Sequence, residues 1–100
     1  MPELCLTLLC PPAVEESLLD LLLLTPGATV FISASVAAYG MTFGALSQTE
    51  QVLGRSHATQ IQILCAAENK ANLLEEIRRQ FSGAGLRYWI TPVAEAGELL

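Results

Sequence analysis

The hydrophobic pattern switches between period two and period 3.6 in an order that spells strand, helix, strand, strand, helix, strand within 100 residues. Leu4, Leu6 and Leu8 alternate with Cys5 and Thr7, and Leu9 makes the end continuously apolar. That is the mark of a strand buried over most of its surface, hence a central one. Cys10-Pro11-Pro12 stops it, and proline is well tolerated in a first helical turn. Glu15 and Glu16 follow where the helix dipole favours anions. Leu18, Leu21 and Leu22 then form the apolar stripe of a helix running to about Leu24.

Thr25-Pro26-Gly27 turns the chain. Over Ala28–Val36, Val30, Ile32, Ala34 and Val36 face one way and Thr29, Phe31, Ser33 and Ser35 the other, the period of a strand. A third strand follows at about Thr59–Ala66. Asn69 is the predicted N-cap of a second helix. Leu73, Leu74, Ile77 and Phe81 line that helix, and Glu75 and Arg79 form an i,i+4 pair on its wet side. Ser82-Gly83-Ala84-Gly85 ends it, with Gly83 suited to a left-handed cap. In the last strand, Leu86–Val93, Pro92 cannot donate to a ladder and points to a sheet edge.

Two βαβ halves of this size close most compactly as one α+β domain, residues 1–100. The expected form is a ferredoxin-like βαββαβ fold, a four-stranded antiparallel sheet with both helices on one face. Its spatial order, 4-1-3-2, puts strand one inside and strand four at an edge, as the leucines and Pro92 require.

The second and third strands should then be joined by a hairpin loop of about two to five residues. Residues 37–58 intervene instead. A connection of this length in a small domain is functional or disordered, and Tyr39, Met41, Phe43, Leu46, Val52 and Leu53 speak against plain disorder. Ser47 and Glu50 have the spacing of a capping box, so Ser47–Gly54 is a predicted short helix. Two readings stay open. The segment is a mobile arm that meets a partner or covers a ligand, or it is a hairpin tip packed on a neighbouring subunit.

Composition narrows the function. The net charge of −5 argues against a nucleic-acid backbone binder. The apolar fraction, 52%, exceeds the roughly 45–50% of an average chain, which suits a surface buried against other copies. Pro2 and Glu3 directly follow Met1 without a basic leader, and Asp20 interrupts the leucine run far short of a membrane span. A cytoplasmic protein without direct membrane insertion is expected. Its odd set of three cysteines reads as small buried hydrophobes rather than a disulfide framework. His57 is the only histidine and has no sequence-apparent nucleophile or acid to orient it, so no catalytic residue and no enzyme is expected. Cys10, His57 and Cys65 are the weak metal-ligand candidates. They lack the CxxC or helical His spacing that marks zinc. Neither GxxxxGK[ST] nor GxGxxG follows a strand.

Three blocks carry a resemblance: Leu8-Leu9-Cys10-Pro11-Pro12, the stretch from Leu46 to Arg55, and Gly85-Leu86-Arg87-Tyr88-Trp89-Ile90-Thr91-Pro92-Val93 with Glu95-Ala96-Gly97 beyond it. With the long connection, they resemble the nitrogen regulatory PII superfamily. Within it they are similar to a family of small PII-like proteins of unknown function associated with heavy-metal efflux systems. The resemblance implies a homotrimer that binds a small ligand or ion in clefts between subunits. It also implies a loop that reports occupancy to a regulatory or transporter partner. It makes Tyr39, Gly40, Gly54, Arg55, Gly83, Gly85 and Arg87 the ligand-binding candidates. Two departures weigh on the ligand. The Gly83–Gly85 turn is short and has no lysine, and the loop start lacks the arginine–glutamine pair after the glycine. Both remove charge-assisted phosphate contacts, so ordinary ATP or ADP binding is not expected, while a metal ion stays open. Tyr39 stands where the metal-linked relatives carry a histidine. The alternative is a CutA-like metal-binding or metal-tolerance protein.

Overall fold

The structure, a computed structural model, describes residues 3–40 and 55–100. Strand β1 (Glu3–Cys10) leads through a 3-10 turn at Pro12–Val14 into helix α1 (Glu15–Leu24). Strands β2 (Val30–Tyr39) and β3 (Arg55–Ala66) follow, then a 3-10 turn at Ala67–Asn69, helix α2 (Lys70–Phe81) and strand β4 (Arg87–Val93). The sheet order is β2-β3-β1-β4 and all three pairings are antiparallel. This is the α+β, ferredoxin-like arrangement the hydrophobic pattern predicts. β1 is interior and β4, with Pro92, is an edge.

Residues directly opposite one another in a ladder share a face, so the register sorts every side chain. Leu6, Leu8, Ile61 and Ile63 point to the side that meets Leu18 and Leu22 of α1 and Leu73 and Ile77 of α2, and all of these are buried. Each such aliphatic side chain contributes about 1.5–3 kcal/mol by leaving water. Among the described residues, no helix lies on the opposite side of the sheet. There β2 presents Val30, Ile32 and Ala34, all exposed, and β4 presents Trp89.

Local chemistry closes the helices. Thr25 donates its hydroxyl to the Leu21 carbonyl at 2.7 Å, and its amide reaches Leu22. These bonds satisfy carbonyls that a helix end otherwise leaves free. At the end of α2, the Ser82 amide bonds Arg78 and the Ala84 amide bonds Phe81, with Gly83 at φ +83°. A left-handed residue here is the usual glycine stop.

Three local expectations are corrected. Asn69 makes no capping hydrogen bond: it lies in the 3-10 turn with near-helical dihedrals. Its side chain instead packs where Gly27 comes closest, and a Cβ on Gly27 would lie 2.9 Å from Asn69 Cβ. Arg79 pairs with Glu76 and Arg78 with Glu75, both at i,i+3 rather than i,i+4. The β2–β3 ladder also runs further than alternation predicts: Ala37, Ala38 and Tyr39 pair with His57, Ser56 and Arg55. Alanine and serine carry little strand preference, so pairing between strands, not local propensity, forms this stretch. The predicted helix Ser47–Gly54 lies outside the described residues.

Past Cys10–Thr59, the last β1–β3 pair, β2 and β3 continue for four more residues each, to Tyr39 and Arg55. At about 3.3 Å per residue, this two-stranded ribbon projects roughly 13 Å beyond the end of β1.

Candidate functional site

The ribbon and the start of β4 lie at the same end of the sheet, because Cys10 meets Thr59 on one side of β1 and Leu9 meets Arg87 on the other. At this end the α2–β4 turn walls a cleft of about 190 Å³. Leu8, Ile77, Phe81 and Leu86 form its apolar part, Arg78 and Tyr88 stand at its rim, and Gly83 and Gly85 supply peptide backbone. Both glycines have positive φ, +83° and +85°, a conformation other residues rarely adopt. The cation is already engaged, since Arg78 Nη1 lies 3.4 Å from Glu75 Oε2. Apolar walls with a few polar groups at the rim suit a small ligand of mixed character. The turn has no lysine to hold a polyphosphate.

The predicted site residues fall into separate groups. Gly83 and Gly85 line the cleft. Arg87 opens β4, but opposite Leu9, so it lies on the helix-free side. Tyr39 and Gly40 end β2, Tyr39 being exposed and Gly40 at φ +77°. Arg55 opens β3 opposite Tyr39, and Gly54 lies outside the described residues. β2 and β4 are opposite edges of a four-stranded sheet, about 14 Å apart at ordinary strand spacing. A single chain therefore does not bring the Tyr39 group to the Gly83 group. Sequence reasoning missed Leu8, Arg78, Phe81 and Tyr88 in the cleft. The i,i+3 spacing of Arg78 and Phe81 and the parity of Tyr88 with Leu86 were the available signals.

The metal-ligand candidates do not converge either. Cys10 and Cys65 share a face of the sheet but stand at β1–β3 pairs Cys10–Thr59 and Leu4–Cys65. Thr59 and Cys65 are six residue steps apart along β3, roughly 20 Å. His57 is exposed on the ribbon, two residues beyond Thr59. Among the described residues, no three His, Cys, Asp or Glu side chains group so as to hold a metal ion. Burial pushes the Cys10 thiol up to about 11, and the nearby Glu15 carboxylate adds to the effect. The Cys65 thiol is raised by burial first, then by Glu3 and Cys5. Both thiols are neutral at pH 7, unlike the thiolates that metals and electrophiles need.

A helix-backed β2-β3-β1-β4 sheet with a projecting β2–β3 ribbon is a ferredoxin-like fold shared with PII-like proteins. The whole chain, residues 1–100, matches the family described as "Protein of unknown function (DUF3240)", and it belongs to that family. A family member from Shewanella baltica OS155 superposes with a TM-score of 0.79 at 20% identity, over 98% of this chain and 97% of that one. CPII, a nitrogen regulatory PII-like protein from Thiomonas intermedia K12 solved with ADP, AMP and bicarbonate, gives 0.70 at 18%, over 100% and 98%. GlnK of B. subtilis gives 0.66 at 14%, over 94% and 87%. At these identities the likeness is one of fold. No curated protein matches the chain.

Proposed function

We propose that this chain is a non-enzymatic, cytoplasmic PII-like regulatory protein that works as a homotrimer. A small ligand or ion enters the cleft beside Gly83 and Gly85, which a neighbouring copy completes with its Tyr39–Gly40 end. The connection between Gly40 and Arg55 passes the bound state to a partner. One observation carries the reading: the ribbon that bears this connection projects from the same end of the sheet that holds the cleft. The resemblance to small PII-like proteins of heavy-metal efflux systems supports a metal-efflux transporter as that partner. CPII holds adenine nucleotides and bicarbonate. In this chain the lysine-free turn and the engaged Arg78 favour a ligand smaller than ATP or ADP. A CutA-like role by direct coordination draws no support from the described residues, which hold no ligand cluster.

Sedimentation equilibrium followed by calorimetry tests this. The expected mass is three times the 10.7 kDa chain. AMP, bicarbonate, ATP, ADP and divalent cations are then titrated singly. A monomeric mass removes any site between copies, and tight ATP binding overturns the ligand reading.

A further inference from the structure

Two leucines on the helix layer have no cover among the described residues. Helix α1 turns Leu18 and Leu22 into the core, yet Leu23 and Leu24 in its last turn are 71% and 84% exposed. Beside them a groove of about 350 Å³ runs between the two helices. Leu21, Leu24 and Pro26 form its α1 wall, and Asn72, Glu76 and Gln80, at i, i+4 and i+8, form its α2 wall. Glu16 and Asp20 precede Leu24 by two turns and one turn, so two carboxylates and two leucines share one exposed stripe about 12 Å long. Helix α1 carries Glu15, Glu16 and Asp20 and no cation. Glu15 is bonded by Thr59. Glu16 and Asp20 belong to neither ion pair among the described residues, which join Arg78 to Glu75 and Arg79 to Glu76. The stripe therefore sets exposed apolar surface next to uncompensated negative charge.

We propose that the α1–α2 groove docks a basic amphipathic helix of a different protein. Apolar side chains of that helix cover Leu23, Leu24 and Pro26, and its Lys or Arg side chains, one and two turns further along, meet Asp20 and Glu16. Carboxylates one helical turn apart match cations one turn apart on a helix lying alongside. The leucines supply the attraction, and the carboxylates fix direction and reject other occupants. A nucleic acid or an anionic membrane would bring like charge to Glu16 and Asp20. A second copy of the chain does not carry the complementary helix. Its five cations are Arg55, Lys70, Arg78, Arg79 and Arg87. Arg55 and Arg87 lie on strands, Arg78 and Arg79 are engaged within α2, and Lys70 stands alone. The proposal is independent of the cleft at Gly83 and Gly85 and of the trimer: an empty cleft or a monomeric mass leaves it standing.

The test uses the intact chain and a dye-labelled, alanine-based helical peptide with two adjacent leucines and with lysines one and two turns beyond them. A matching peptide carries glutamates in place of the lysines. Fluorescence anisotropy is expected to show saturable binding of the lysine peptide and none of the glutamate peptide. During the titration the amide resonances of Leu21, Leu24, Asn72 and Gln80 are expected to move while those of Gly83 and Gly85 stay. Leu24→Ser is expected to weaken binding roughly 10-fold, the scale of one leucine returned to water. Glu16→Gln combined with Asp20→Asn is expected to weaken it roughly 5-fold in dilute buffer, a difference that fades at about 1 M salt as the charges are screened. All three positions are exposed, so the unfolding midpoint of the variants is expected to hold. No binding of the lysine peptide, or equal binding of the two peptides, overturns the proposal on the wild-type chain alone. A fall in assembly mass with Leu24→Ser gives the leucines to a second copy, and Leu24-dependent binding to phosphatidylcholine vesicles gives them to a membrane. Either result overturns the proposal.

Discussion

Thr59 donates its hydroxyl to a Glu15 carboxylate oxygen at 2.9 Å. This bond ties the last β3 residue that β1 supports to the first turn of α1. Thr59 is buried and Glu15 half-buried, so the pair joins ribbon root to helix where water competes little. Thr59→Val keeps the shape and removes the donor. It is expected to cost about 1–2 kcal/mol by leaving a half-buried carboxylate short of a partner. Urea denaturation measures this, and a loss no larger than that of an exposed surface substitution would show the bond to be idle.

Gly27 is held by two independent constraints: φ is +100°, and a Cβ would meet Asn69 at 2.9 Å. Gly83 has only the first, at φ +83° with nothing within 4 Å. Gly83→Ala is expected to cost about 1–2 kcal/mol, the left-handed penalty alone. Gly27→Ala is expected to cost more, and trimming Asn69 to Gly in the same chain to restore part of the difference. Thermal unfolding of the three variants checks the order, and equal losses at the two glycines would remove the steric argument.

Alkaline pH is expected to weaken the fold through Cys10. Its thiol is raised from 9.0 to about 11 in the folded chain, by burial and then by Glu15. Between those values the unfolded chain has released a proton that the folded chain still holds, so stability falls as pH rises. The contribution is fully present below pH 9 and fades toward pH 11, by up to roughly 2–3 kcal/mol. In Cys10→Ala, denaturation curves taken across this window should show a shallower decline. Alkylation of Cys10 in the native protein should trail that of the denatured chain, and Glu15→Gln should bring its onset to lower pH.

Ser56 Oγ is buried and has no hydrogen-bond partner among the described residues. Removing an unsatisfied hydroxyl is neutral or mildly stabilising. Ser56→Ala is therefore expected to leave the unfolding midpoint unchanged or to raise it. A clear drop would mean that the hydroxyl is satisfied in the assembled protein.

The core was legible because it is written in period: Leu6, Leu8, Ile61 and Ile63 alternate, and Leu18, Leu22, Leu73 and Ile77 recur at helical spacing. Chain order and Pro92 were enough to place the strands. What failed depended on partners distant in sequence. Ala37, Ala38, Ser56 and Ala58 carry little strand signal of their own and become strand against each other. Asn69 looked like a cap, yet its side chain answers to Gly27, 42 positions away. β2 has two plausible faces, and only the register shows that Val30 and Ile32 point away from the helices. For the candidate site, Gly83 and Gly85 were legible as turn residues. The cleft walls were not, because α2, β1 and β4 meet there only after folding.

A ribbon with one end fixed in the sheet and roughly 13 Å of length beyond β1 is a lever rooted at Thr59. A small rotation about its root at Thr59 becomes a displacement of several ångströms at Tyr39, and a push on the tip returns to the root as torque. The Thr59–Glu15 bond is the side-chain link from that root to α1. The first turn of α1 is thus the place where a load on the tip would be felt as strain in the body of the protein.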